Sequence, residues 1–227
     1  MNLDDLIEEC ADDPAFFVEV VLGAKADPWQ KEVMEAVARG DRGVSIRSGH
    51  GVGKTSCLSW LALWWVFTHY HAKVVITAPT SAQLHDALLP EAKSWLKQSS
   101  DKFKERFNIK ADRIELASDP ERNFISARTS RAEQPDALQG VHADHCLLIA
   151  DEASGVPEQV YEAAAGSMSA HHATMVLAGN PVRSTGYFYD TFHKLADRWS
   201  TFHVSCEDTP RVSKDYIEEC RLRYGEE

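Results

Sequence analysis

The hydrophobic pattern of this chain consists of short, nearly continuous apolar runs separated by longer stretches with helical spacing. Short continuous runs are typical of strands that are buried on both faces of a parallel sheet. The predicted strands are residues 43–48, 73–78, 145–150, 174–179 and 200–205, and the predicted helices between them are residues 54–69, 81–98 and 157–169. Strands that alternate with helices predict a doubly wound, mainly parallel α/β sheet that binds its ligand at the carboxyl ends of its strands.

The segments outside this alternation predict additions to the sheet. Residues 113–117 and 122–127 flank a Ser-Asp-Pro-Glu turn, which indicates an inserted β-hairpin. We expect one α/β domain over residues 1–210, with residues 1–40 as its helical N-terminal part. Residues 211–227 are expected to begin a lid or linker helix, a partial helical extension at the C-terminal end.

The composition restricts the class of protein. With 227 residues, of which 44% are hydrophobic, the chain can bury a core without metals or disulfides. Its five cysteines are scattered, as is typical of reduced thiols, and its acidic N-terminus does not resemble a secretory signal. The longest apolar run, residues 58–67, is too short to span a bilayer, so we expect a cytoplasmic protein with no membrane partner. A net charge of −11 argues against a wide nucleic-acid-binding surface but leaves room for a local patch.

A glycine-rich loop follows the first predicted strand and leads into a predicted helix. Its three closely spaced glycines let successive backbone N–H groups point to one centre, where the helix dipole adds positive potential. The predicted nucleotide-binding residues of this loop are Ser48, Gly49, His50, Gly51, Val52, Gly53, Lys54 and Thr55. Lys54 is expected to contact the β- and γ-phosphates, and the Thr55 hydroxyl to bind magnesium. Ser48 stands where such a loop usually has its first glycine.

Two adjacent carboxylates end another predicted strand. Asp151 and Glu152 directly follow the apolar run 145–150. Asp151 is placed to hold the magnesium shell, and Glu152 to orient and deprotonate an attacking water. An acidic helix cap is the alternative interpretation of the pair alone. Together with the glycine-rich loop, the pair predicts a P-loop NTPase fold of the RecA-like (ASCE) type that hydrolyses ATP with Mg²⁺.

Three further residues carry weaker signals. Asn180 ends another predicted strand, where its amide can contact the γ-phosphate or the attacking water and so act as a sensor, although Asn-Pro is also a common turn pair. Trp29 and Gln30 begin a helix and are predicted to stack on and hydrogen-bond an adenine base. A core tryptophan at a helix start is the alternative interpretation of Trp29.

Arginines near strand ends are candidates for stabilising the transition state of hydrolysis, an effect of about three to five orders of magnitude in rate. The arginines in such positions are Arg47, Arg128, Arg131 and Arg183. Arg128 and Arg131 are predicted to insert into the site of a neighbouring subunit. Surface salt bridges are the more usual role of a single arginine.

In combination, these motifs resemble the ATPase domain of the terminase large subunit, the DNA-packaging motor of tailed bacteriophages. The residues that carry the resemblance are Pro28–Gln30, Gly51–Thr55, Thr77–Thr80, Ala137–His142, Ile149–Ala153, Gly179–Pro181 and Arg223–Glu226. Each motif is short, but their order over most of the chain is specific.

The resemblance implies a homo-oligomeric ring that docks on the portal protein, works with a small terminase subunit and drives double-stranded DNA into a procapsid. It implies action in the host cytoplasm and transiently at the portal vertex. Alone, the chain is expected to be monomeric or weakly associating and to hydrolyse ATP weakly. His50 stands where terminases often carry an arginine, so that role is vacant or is taken by Arg47. The rest of the lid and the metal-dependent nuclease domain that normally follow are expected to be missing.

Two other functions share part of this pattern. A superfamily-2-like helicase or nuclease-associated ATPase also uses Gln30, the glycine-rich loop and the paired acids, but a helicase needs a second RecA-like lobe that 227 residues do not contain. A nucleotide-dependent assembly switch without useful turnover has no need of Glu152, so this residue argues against that function.

Overall fold

The fold is built around an eight-stranded sheet, seen in a computed structural model that describes residues 2–129, 141–169 and 172–224. The strands are β1 (Gly43–Ser48), β2 (Ala72–Thr77), β3 (Phe107–Ile109), β4 (Arg113–Leu116), β5 (Phe124–Ala127), β6 (His145–Ala150), β7 (His172–Gly179) and β8 (Ser200–Val204). Their spatial order is β3-β4-β5-β2-β6-β7-β1-β8. β4 is antiparallel to both of its neighbours, and the other neighbouring strands are parallel.

Helices cover both faces of this sheet. They are α1 (Leu3–Asp12), α2 (Pro14–Phe16), α3 (Pro28–Ala38), α4 (Lys54–Thr68), α5 (Ser81–Gln83), α6 (Leu89–Gln98), α7 (Asp101–Lys104), α8 (Glu158–Ala164), α9 (Tyr187–Asp190) and α10 (Lys214–Tyr224). Single π-helical turns extend α2 over Phe17–Val21 and join α5 to α6 over Leu84–Leu88. In the ranges that the structure describes, no helix combines the length and apolar character needed to cross a membrane.

The hydrophobic core is divided by the sheet into two clusters. On one face, α4 packs against β2 and is itself covered by α1 and α6, so its residues Trp60 and Trp64 are both 1% exposed. On the other face, Tyr161 of α8 packs against the side of the sheet that carries Leu148. The predicted doubly wound, mainly parallel α/β fold is therefore confirmed, and the apolar runs reflect strands that are buried on both sides.

Some predicted elements differ from those observed. The predicted hairpin is present as β4 and β5, but β3 pairs with β4 on its outer side and was not predicted. The predicted helical part over residues 1–40 consists of separate helices: α1 ends at Asp12, and Asp13 caps α2, with its carboxylate accepting a hydrogen bond from Phe16 N at 3.0 Å. The predicted helix over 157–169 ends earlier, with α8 at Ala164, and a separate short turn follows at Ser167–Ser169.

The strand register brings the candidate site together. Ile149 of β6 pairs with both Ile76 of β2 and Val176 of β7, and Arg47 of β1 pairs with Gly179 of β7. The segments that follow these four parallel strands therefore leave the sheet at the same edge. This edge carries the glycine-rich loop, the paired acids and Asn180.

Candidate nucleotide-binding site

The glycine-rich loop joins β1 to α4 and is held from outside by α3. Gly51 and Gly53 have φ angles of 75° and 98°, in the left-handed region that residues with a Cβ rarely adopt. The Gly53 carbonyl accepts a hydrogen bond from Gln30 Nε2 at 3.0 Å, and Gln30 Oε1 accepts one from Asp27 N at 2.8 Å. The fully buried Gln30 side chain therefore ties the loop to the start of α3.

Lys54, the first residue of α4, links the loop to the end of β7. Its Nζ donates hydrogen bonds to Gly49 O at 3.0 Å and to Asn180 Oδ1 at 2.9 Å. Burial lowers the pKa of Lys54, while the carboxylates of Glu152 and Asp151 favour its charged form. The lysine and the amide that sequence patterns single out separately are thus in direct contact.

Asp151 and Glu152 follow β6 beside this lysine. Asp151 is 5% exposed, and its Oδ1 accepts a hydrogen bond from Glu152 N at 3.0 Å. Burial, and then the charge of Glu152, raise the pKa of Asp151 to about 6. Glu152 has a φ of 49°, a conformation that costs a non-glycine residue about 1 to 3 kcal/mol and that persists only where its surroundings fix it.

Gly179, at the end of β7, packs closely against the turn that carries Asp151 and Glu152. A Cβ at Gly179 would lie 2.9 Å from Ala153 N and 3.3 Å from the carbonyl carbon of Glu152. Only glycine therefore lets the end of β7 approach this turn so closely. Ser154 Oγ also donates a hydrogen bond to the carbonyl of Asn180. The segment that carries Glu152 and the segment that carries Asn180 form one hydrogen-bonded unit.

Asp151→Asn is expected to raise the free energy of unfolding of the metal-free protein at pH 7 by up to about 3 kcal/mol. The pKa of Asp151 is about 6 in the folded protein, against a usual value of 3.8. Folding therefore disfavours the ionised carboxylate, and the stability falls as the pH rises from about 4 to about 6. Asparagine keeps the Oδ1 acceptor without the charge.

Denaturant unfolding in the presence of a chelator measures the free energy of unfolding of both proteins at pH 7 and near pH 4. The stabilisation by Asp151→Asn should be smaller near pH 4. Asp86→Asn, at an exposed aspartate in the π-helical turn before α6, is the matched control. An Asp151→Asn variant that is less stable than the unmodified chain at pH 7 would contradict the unfavourable burial of this charge.

The segment after β8 lies against the glycine-rich loop, a contact that no sequence motif predicts. Cys206 Sγ donates to His50 O at 3.5 Å, and a Cβ at Gly49 would overlap this sulfur atom. Arg211 Nε forms an ion pair with Asp27 Oδ2 at 3.0 Å. The chain between β8 and α10 therefore rests on the loop from one side, while α3 holds it from the other.

The other predicted nucleotide-binding residues differ in how far they are buried and in their hydrogen bonds. Trp29 is 8% exposed and belongs to the hydrophobic core, which agrees with its alternative interpretation, and the contact of Trp29 and Gln30 with a base stays a prediction. Ser48 is 3% exposed, and its hydroxyl donates to Gly49 O at 3.1 Å. The Thr55 hydroxyl has no hydrogen-bond partner in the described part of the chain, so its oxygen is available to a ligand.

The two arginines predicted to act on a neighbouring subunit lie beyond β5. Arg128 N donates to Ile76 O at 3.0 Å, and Arg128 O accepts from Thr77 Oγ1 at 2.6 Å, so its backbone is anchored to β2. Burial, and then the nearby charge of Arg113, lower the pKa of Arg128. Arg131 lies outside the described residues.

The sheet order, the glycine-rich loop with its lysine and the acidic pair define a P-loop NTPase fold of the RecA-like type. A sequence model of the family "Terminase large subunit, T4likevirus-type, N-terminal" matches residues 46–227. The chain therefore belongs to this terminase family. A probable terminase large subunit of Enterobacteria phage P7 is 28% identical over 216 residues, which are 90% of this chain and 44% of that protein. The chain thus spans less than half the length of this relative.

Solved structures share the fold. A mutant of the large terminase ATPase domain of Thermus phage P74-26 has a TM-score of 0.70 and 20% identity, over 92% of this chain and 93% of that chain. The large terminase of a thermophilic bacteriophage, solved in complex with ADP, has a TM-score of 0.70 and 18% identity, over 88% of this chain and 50% of that chain. These likenesses confirm the predicted RecA-like architecture.

Proposed function

We propose that this chain is an ATP-hydrolysing motor domain that drives the translocation of double-stranded viral DNA into a procapsid. The observation that carries the proposal is the contact of Lys54 with both the glycine-rich loop and Asn180, beside the buried Asp151 and the partly exposed Glu152. Membership of the terminase family supports the motor function. The ADP complex of a structural relative supports an adenine nucleotide as the ligand.

Nucleotide binding is proposed to exchange the partners of Lys54. Without nucleotide, the ammonium group is shared between Gly49 O and Asn180 Oδ1. Phosphate oxygens are charged and accept stronger hydrogen bonds than a carbonyl or an amide. A triphosphate therefore draws Lys54 away from Asn180, whose amide becomes available to the γ-phosphate or to the attacking water. Asn180 thereby senses whether the site holds a triphosphate.

Thr55 and Asp151 fit the magnesium ion that such a reaction uses. Hydroxyl and carboxylate oxygens are the ligands that Mg²⁺ prefers. The Thr55 hydroxyl is free of other hydrogen bonds within the ranges described. Burial and the Glu152 charge raise the pKa of Asp151 although Lys54 lies near, so a divalent cation would further stabilise the ionised carboxylate. When bound, Mg²⁺ neutralises charge on the phosphates.

Glu152 is proposed to orient and deprotonate the attacking water. Its side chain is partly exposed, whereas Asp151 beside it is buried. This difference leaves room for water at Glu152 and supports different tasks for the two carboxylates. Arg128 and Arg131 are proposed to complete the site of a neighbouring subunit, where a guanidinium stabilises the charge of the transition state.

The proposal includes assembly. We assign residues 1–210 to the ATPase domain and 211–227 to the start of a lid. The ion pair of Arg211 with Asp27, at the start of α3, supports a lid that begins near the glycine-rich loop. The proposed partners are double-stranded DNA, the portal protein, the small terminase subunit and further copies of this chain in a ring. The protein would act in the host cytoplasm and transiently at the portal vertex.

Steady-state phosphate release tests this function. The chain is expected to hydrolyse ATP slowly with Mg²⁺, and the rate per subunit is expected to rise with protein concentration, because a neighbouring arginine contributes about three to five orders of magnitude. A titration in which an inert protein replaces the added chain controls for crowding. ATP binding without phosphate release, at any concentration and with duplex DNA present, would instead favour an assembly switch. A constant rate per subunit would contradict catalysis across subunits.

A further inference from the structure

A cavity lies at the carboxyl edge of the sheet, on the face opposite α4. Along β1, Ser45 and Arg47 project to the side that is covered by the segment after β7. Ser45 Oγ lies 2.7 Å from Thr191 Oγ1, and the Arg47 guanidinium lies 5.1 Å from the ring centre of Phe192. The cavity has a volume of about 410 Å³, and we call it the Arg47 pocket. It is bounded by Arg47, by residues 181–184 and by aromatic side chains that include Phe192.

The lining of the Arg47 pocket is cationic. Arg47 and Arg183 both line it, together with His193, and none of its lining residues is an aspartate or glutamate. This is unusual in a chain with 35 acidic residues and a net charge of −11. Two acids lie near the lining residues. The Asp190 carboxylate pairs with Lys194 Nζ at 2.7 Å, and Glu158 borders an adjoining cavity together with Arg183.

The pocket also contains donors without acceptors. Arg47 Nε is shielded from solvent and has no hydrogen-bond partner in the described part of the chain. The other two guanidinium nitrogens of the partly exposed Arg47 also have no hydrogen-bond partner among the described residues, so they are available to an acceptor in the pocket. Arg183 is exposed and forms no ion pair with any described residue, and the hydroxyl-bearing residues Ser184 and Tyr189 also line the pocket. Guanidinium and hydroxyl donors together form the usual set that binds a phosphate oxygen.

We propose that the Arg47 pocket binds a backbone phosphate of duplex DNA, with Arg47 and Arg183 as its main donors. The inference rests on the proposed motor function, which supplies the DNA. Phosphate contacts need no base readout, and they let an acidic domain hold DNA through a local site. Val182, beside Arg183, is 74% exposed, so this loop can reach a ligand as large as a duplex.

The position of the pocket would couple DNA binding to nucleotide binding. Residues 181–184 directly follow Asn180, whose side chain accepts from Lys54 and whose carbonyl accepts from Ser154. A triphosphate that draws Lys54 away from Asn180 breaks the hydrogen bond between these two side chains, and this bond helps to hold the start of the loop that carries Arg183. DNA affinity is therefore expected to differ between the ATP-bound and nucleotide-free chain.

Fluorescence anisotropy with a short labelled DNA duplex tests the site. Arg183→Gln is expected to weaken DNA binding about tenfold and to reduce the slope of log affinity against log salt by about one, because one phosphate contact is lost. Arg183→Lys should keep the slope, since the charge remains. Arg198→Gln, at an exposed arginine that forms no ion pair with the described residues, is the matched control. Arg47→Gln should resemble Arg183→Gln, and if it does not fold, Arg183→Gln decides alone.

Three outcomes would overturn the proposal. Arg183→Gln could bind DNA like Arg198→Gln. It could keep DNA affinity but lose affinity for a fluorescent ATP analogue, which would assign the phosphate to the nucleotide. It could keep DNA affinity but lose self-association in sedimentation velocity, which would assign Arg183 to a subunit contact. Failure of the proposed hydrolysis is distinguishable, because phosphate release would then be missing while Arg183→Gln still weakened DNA binding.

Discussion

Glu152→Gln is expected to lower the rate of ATP hydrolysis by at least about 100-fold and to leave nucleotide affinity within about twofold. Glutamine has nearly the same shape as glutamate, but its amide cannot take a proton from the attacking water. A positioned general base contributes about two to four orders of magnitude in rate. The proposed nucleotide contacts lie elsewhere, on the glycine-rich loop and on Lys54, so binding should persist.

Phosphate release gives the rate, and titration with a fluorescent ATP analogue gives the affinity. The matched control is Glu158→Gln, which removes an exposed carboxylate in the first turn of α8. Hydrolysis by Glu152→Gln at the rate of Glu158→Gln would show that Glu152 is not the base. A loss of affinity in Glu152→Gln alone would place this side chain among the binding contacts instead.

The backbone around Glu152 explains why its substitution should act locally. Its left-handed conformation, with φ of 49°, is held by the close approach of Gly179 and by the hydrogen bond from Ser154 to the carbonyl of Asn180. None of these contacts involves the Glu152 carboxylate. The glutamine variant should therefore keep the turn, and a change in rate can be attributed to the lost base.

Most of the sheet is predictable from the sequence because its parallel strands are buried on both faces and read as continuous apolar runs. β3 is the exception. It has only three residues, and its apolar residue Ile109 is exposed together with Asn108, so the segment is too short and too weakly buried to give a clear strand pattern. Its place in the sheet depends on pairing with β4, which is a backbone interaction that side-chain patterns do not encode.

In the candidate site, too, short motifs reveal some residues, whereas the contacts between them depend on the tertiary fold. Lys54 and the acidic pair are recognisable because a short motif places them at a strand end. The contact between Lys54 and Asn180 requires β1 and β7 to be neighbours, which sequence spacing does not reveal. The hydrogen bonds of Gln30 and Cys206 to the glycine-rich loop likewise depend on packing between segments that are distant in the sequence.

Lys54→Ala is expected to weaken ATP binding by about 100-fold, which corresponds to about 2 to 3 kcal/mol. The substitution removes the ammonium group that would contact the β- and γ-phosphates, and hydrogen bonds to charged groups are among the stronger ones. Titration with a fluorescent ATP analogue measures the loss. Lys25→Ala, at an exposed lysine before α3, should bind like the unmodified chain. Equal affinity of the two variants would contradict the role of Lys54.

A double-mutant cycle with Asn180→Ala separates the two tasks of Lys54. In the nucleotide-free chain its ammonium group bonds to Asn180 Oδ1, so the two substitutions should have non-additive effects on the free energy of unfolding, with a coupling of about 0.5 to 3 kcal/mol. If ATP draws Lys54 to the phosphates, as proposed, this coupling should decrease when ATP is bound. A coupling that ATP leaves unchanged would mean that Lys54 stays on Asn180, and the exchange of partners would then not occur.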